Sequence, residues 1–138
     1  MDLSTLIARA READLDELRK ESHFARRGLE SYTTGHRLLI GDGAVADYEA
    51  AEKQLTRAVN EGNSQALFDL GCMRRDGLNG KVCNITAHQW FNLAVARSYG
   101  VGAEEARRAR KEIELQLDAD EITEAQRLAR EWDEARPR

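Results

Sequence analysis

The chain has 138 residues, of which 33% are charged and 6% aromatic, with a net charge of −4. That length suits one domain, 1–138, with a modest core, and the acidic balance argues against a duplex nucleic-acid binder, which usually advertises a basic face. The single proline is Pro137, so nothing internal stops helices from running nearly end to end. No apolar run approaches the ~20 residues that a bilayer-crossing helix needs, so no membrane contact is expected. Charges interrupt the opening MDLSTLIARAREADLDEL where a signal peptide needs an apolar core. The expected compartment is the cytoplasm, with Cys72 and Cys83 as free thiols.

In chain order, residues 1–27 form an N-terminal helical segment. Leu3, Leu6, Ile7 and Ala10 mark one stripe, and Leu15, Leu18, Ser22 and Ala25 mark a second, offset from the first. The change of phase near Asp14 predicts a bend or break, since aspartate is a good N-cap.

From residue 28 a register with a 36-residue offset takes over. Gly35 and Gly41 recur as Gly71 and Gly77, Ala51 as Ala87, Ala58 as Ala94 and Val59 as Val95; Tyr32 pairs with Phe68 and Leu55 with Phe91. A period of this length is about two short helices and two turns, the unit of an α-solenoid, which buries its apolar faces only by stacking on neighbours. The first unit, 28–63, has a helix stopping at Gly41-Asp42-Gly43. Asp47 caps a second helix that carries Tyr48, Ala51, Leu55, Ala58 and Val59 at helical spacing. Glu61-Gly62-Asn63 ends that helix, and Asn63 or Ser64 caps the next.

The second unit, 64–100, has an inner stripe of Ala66, Leu67, Leu70, Gly71 and Met73. A turn-rich linker follows, Asp76 to Cys83. Thr86 and Gln89 have the spacing of a capping box for a helix that turns Ala87, Trp90, Phe91, Ala94 and Val95 inward. Gly71 marks a helix crossing where a larger side chain has no room. Beyond the repeats, 101–135 reads as two capping helices, one lined by Ala106, Ala109, Ile113 and Leu117, the other by Ile122, Ala125, Leu128, Ala129 and Trp132. The break between them is Asp118-Ala119-Asp120, and the tail from Asp133 to Arg138 is expected to fray.

The string Gly41 to Ala51, with Ala58 and Gly62-Asn63 after it, resembles the second half of a Sel1-like repeat. Ala66, Leu70-Gly71, Gly77, Ala87, Trp90, Ala94 and Gly100 resemble one complete repeat, and Glu121 to Trp132 resembles the helix that often follows bacterial arrays of this kind. The likeness spans roughly residues 29–135. It departs from the family at Leu38 and Arg74, where an aromatic is usual, at Asn84, where aspartate is usual, and at Glu30, where a small residue is usual. The resemblance implies an all-α, short right-handed TPR-like α-solenoid that acts as a protein-interaction adaptor or scaffold and carries no conserved chemistry.

Chemical constellations point the same way. Cys72, Cys83 and His88 lack the paired-ligand spacing of a zinc site. Cys72 with His36, at equivalent repeat positions, has no orienting third group or oxyanion element. Gly77-Leu78-Asn79-Gly80 lacks the Lys-Ser/Thr of a phosphate-cradling loop. Arg107, Arg108, Arg110 and Lys111 alternate with glutamates, as a solvated helix face does. No catalytic residue, cofactor or metal ligand is therefore expected. The expected site is a concave groove lined by the first helices of the units, with Tyr32, His36, Gln65, Phe68, Cys72, Arg75 and Asp76 facing a partner protein or peptide. The competing reading of Tyr32 and Phe68 is core. Two functions are open: a general adaptor, or a dedicated regulator or inhibitor of one enzyme or receptor. A homodimer extending the array is open as well.

Overall fold

The structure, a computed structural model, describes residues 2–137, apart from the side chains of residues 17–25. Seven α-helices occur among the described residues, and no strand does: α1 (Leu3–Arg26), α2 (Leu29–Ile40), α3 (Tyr48–Asn60), α4 (Gln65–Asp76), α5 (Asn84–Arg97), α6 (Gly100–Glu114) and α7 (Ala119–Glu134). The boundaries follow the turn chemistry. Gly41 and Gly77 end α2 and α4 at φ of 74° and 70°, the left-handed conformation in which glycine carries no Cβ penalty. Asp47 caps α3 by accepting from the Ala50 amide at 3.0 Å. Of the two candidate caps before α4, Asn63 takes the role, its Oδ1 accepting from the Ala66 amide at 3.1 Å, while Ser64 makes no capping bond. Asp118 and Glu121 form a reciprocal capping box on α7.

Three local expectations are corrected. No break occurs near Asp14: α1 runs continuously through it, because Ala13, Leu15 and the flanking charged residues all tolerate a helix and Asp14 is exposed rather than capping. Leu3, Leu6, Ile7 and Leu15 lie exposed on this helix, and the side chains of Leu18, Ser22 and Ala25 fall outside the described residues. Thr86 and Gln89 form no capping box, since α5 begins at Asn84 behind an extended Cys83, whose Sγ–H donates to Thr86 Oγ1 at 3.1 Å. The tail is held rather than frayed through Arg136: Arg97 donates to Asp133 Oδ1 at 2.9 and 2.7 Å and to the Arg136 carbonyl at 2.6 Å. Arg138 lies outside the described residues.

Packing joins chain neighbours, α2 with α3, α3 with α4, α4 with α5 and α5 with α6, and it docks α7 onto α5 across the chain. Two further alternate pairs touch, α2 with α4 and α4 with α6, so α2, α4 and α6 lie side by side. The core holds Leu55, Ala58, Ala66, Leu67, Met73, Ala87, Phe91, Ala94 and Ala106, with the Trp90 and Trp132 rings edge-on at 5.8 Å along its margin. Two glycines set the helix crossings. A Cβ on Gly71 would stand 2.5 Å from Phe91 Cε1, and one on Gly35 would stand 2.9 Å from Leu55 Cγ. Glycine and partner both recur at the 36-residue offset, so α2 meets α3 as α4 meets α5.

Candidate functional site

The side-by-side arrangement of α2, α4 and α6 gathers most of the residues singled out from sequence onto one face. On α2, the Tyr32 and His36 rings are 5.5 Å apart, and Asp69 Oδ2 on α4 accepts from His36 Nδ1 at 2.7 Å. Burial raises the Asp69 carboxyl above its ordinary value, and the His36 contact opposes that shift. The Tyr32 hydroxyl is pushed up to about 12, first by burial and then by the negative charges of Asp69 and Glu105, the latter on α6. All three helices thus contribute to the electrostatics at one spot.

Farther along α4, Phe68 is half-buried with its ring 5.6 Å from that of Phe91, so it serves the core and the surface together. Arg75 lies 5.9 Å over the Phe91 ring and pairs with Asp76 Oδ1 at 2.8 Å, which holds the Asp76 carboxyl below its ordinary value. Cys72 is half-buried, and burial pushes its thiol up to about 11. That shift runs opposite to what an activated nucleophile needs, and His36 is engaged by Asp69 rather than by this sulfur. Gln65 and Asp76 are exposed. Cys72 and Cys83 form no disulfide, and the third residue once grouped with them, His88, is buried with Nε2 2.9 Å from Glu114 Oε1. Arg107 pairs with Glu104 and Arg110 donates to Asn92 Oδ1 at 2.7 Å, which consumes much of the basic run on α6.

Sequence reasoning missed Asp69 and Glu105, whose importance depends on the packing of α4 between α2 and α6. It also missed a cleft of about 400 Å³ at the other end of the helices, beside the α3–α4 turn, whose lining includes Arg27, Arg97, Tyr99, Trp132, Arg136 and the Gly62–Ser64 backbone. Arg97 and Arg136 place their guanidinium carbons 5.0 and 4.5 Å from the Trp132 ring centre. The only sequence signal for this cleft was the recurrence of arginine near helix C-termini. Comparison with protein-family models gave no match. Comparison with curated proteins likewise gave none.

Proposed function

We propose that the chain is a protein-interaction module, a short right-handed α-solenoid of Sel1-like repeats at 28–63 and 64–100 closed by α6 and α7. It binds a partner protein or peptide on the face of α2, α4 and α6, and it is not an enzyme. The observation that carries the reading is the matched pair of crossings, Gly35 on Leu55 and Gly71 on Phe91, one repeat offset apart. Matched crossings are what stacked helix pairs produce. The half-buried Tyr32 and Phe68, also one offset apart, supply aromatic anchors with Arg75 and the His36–Asp69 pair beside them. The raised Cys72 thiol and the engagement of His36 by Asp69 favour binding over nucleophilic chemistry.

The test is capture of a partner by the full chain from its native cell extract, followed by hydrogen exchange of the purified complex. Protection should concentrate in residues 29–40 and 65–76. Protection confined to α7 or α1 would refute the assignment of the face. A single partner with catalytic activity that changes on binding would mark a dedicated regulator, and several unrelated partners would mark an adaptor.

A further inference from the structure

Helix α1 stands apart from the packing that joins the others. Among the described residues, each of α2 to α7 shares a packed face with at least one other helix, and α1 shares none. Every side chain that the structure describes on α1 is exposed, with Leu3, Leu6, Ile7 and Leu15 at 71%, 52%, 44% and 49%. The helix is nonetheless built to form. Asp2 accepts from the Thr5 amide at 2.8 Å and caps its first turn, and neither glycine nor proline interrupts its 24 residues. Large apolar side chains on a helix that covers nothing in its own chain mark a surface that another molecule covers.

The order of charges along α1 selects that molecule. Ile7, Arg11, Asp14 and Leu18 follow one another in steps of four, three and four residues, the seam spacing of paired helices. Arg11 and Asp14 are exposed at that seam, and neither makes an ion pair among the described residues. A parallel pair of α1 helices would set Arg11 on Arg11 and Asp14 on Asp14, like charge on like. An antiparallel pair with its two-fold axis between Glu12 and Ala13 sets Arg11 of each copy on Asp14 of the other. It also brings position 7 to position 18, isoleucine to leucine, and lays Leu15 of one copy over the small Ala8 of the other. The helical bodies that follow Gly28 leave this pair at opposite ends, about 36 Å apart for a helix of 24 residues, so they do not collide.

We propose that α1 joins two copies of this chain as an antiparallel helix pair. The two-fold axis uses the same stripe twice and so doubles each complementary contact. The charged layers at its centre fix orientation and register at some cost in stability, as polar residues at a helix seam do. The α2–α4–α6 face plays no part in the contact and stays open on both copies, so one dimer presents two such faces to its surroundings.

The experiment is sedimentation equilibrium of the full chain at concentrations up to about 1 mM, with amide hydrogen exchange compared at the dilute and concentrated ends. The expected result is a monomer–dimer equilibrium in which dimerisation protects residues 3–18. Arg11→Asp and Asp14→Arg, which each set like charges together twice, should weaken the dimer by about tenfold or more. The double exchange Arg11→Asp/Asp14→Arg should restore it, with circular dichroism at high dilution showing every variant to be as helical as the wild type. A chain that stays monomeric throughout, a dimer indifferent to either single change, a double exchange that does not recover, or protection lying outside α1 would each overturn the proposal.

Discussion

Gly71→Ala should destabilise the protein, although alanine is the better helix former. In an uncrowded helix the change would stabilise by roughly 1 kcal/mol. Here the added Cβ lies 2.5 and 2.6 Å from two carbons of the Phe91 ring, about 1 Å inside ordinary contact. The ring is 0% exposed and packed among Phe68, Ala87, Ala109 and Ile113, so it has no vacant volume to rotate into. Overpacking of this kind costs about 1–3 kcal/mol, and the larger end applies because α4 and α5 must separate. The net expectation is a loss of about 1–2 kcal/mol, and Gly71→Leu should lose more. The assay is urea unfolding followed by circular dichroism, with an unchanged m value showing that stability alone has moved. Phe91→Leu installs the side chain that stands 36 residues earlier, Leu55, against Gly35. Combined with Gly71→Ala it should cost clearly less than the sum of the two single changes, a coupling of at least about 1 kcal/mol. Stabilisation by Gly71→Ala, or strict additivity of the pair, would show that the crossing is not where the packing places it.

Gly62→Ala should cost about 1 kcal/mol in the same assay, for a backbone reason: Gly62 has φ of 97°, where an L side chain is strained. Asp69→Asn should flatten part of the pH dependence of stability. Burial raises the folded-state carboxyl above its unfolded value near 3.8, so the contribution of Asp69 is fully present below that value and is lost as pH rises through the raised one. The wild type should therefore lose stability relative to the variant over that interval in a series of urea titrations, and a difference independent of pH would contradict the assignment. Iodoacetamide at pH 8 should label Cys83 at least tenfold faster than Cys72, as mass spectrometry of the Cys72→Ser and Cys83→Ser variants would read. Cys83 is exposed, with a thiol lowered chiefly by its bond to Thr86, whereas Cys72 at about 11 holds only about 0.1% thiolate at that pH.

Much of the helical architecture was legible because its determinants are local. Left-handed glycines at 41 and 77 and aspartate caps at 47 and 118 act within one turn of the chain, and the alternation of alanine with large apolar residues marks each buried stripe. Asp14 misled because capping needs an extended backbone as well as the residue type, and the sequence around it has no glycine or proline to end α1 first. Thr86 misled likewise: Cys83, a poor capping residue, holds the extended conformation three positions earlier. The face residues were identifiable one helix at a time, through the recurrence of Tyr32 as Phe68. The His36–Asp69 bond and the influence of Glu105 on Tyr32 join different helices, and no spacing rule reports them. The arginine-lined cleft draws on segments more than a hundred residues apart, Arg27 to Arg136, which only the packed helices bring together.

The most direct measurement is the affinity of a captured partner for the Phe68→Ala/Arg75→Glu variant relative to wild type, by calorimetry, once both have been shown to be equally helical and to unfold cooperatively. Loss of the aromatic anchor and reversal of the charge beside it should weaken binding at least tenfold, about 1.4 kcal/mol, with the part due to Arg75 fading at high salt. A folded double variant that binds the partner with unchanged affinity would contradict the claim that α2, α4 and α6 carry the function.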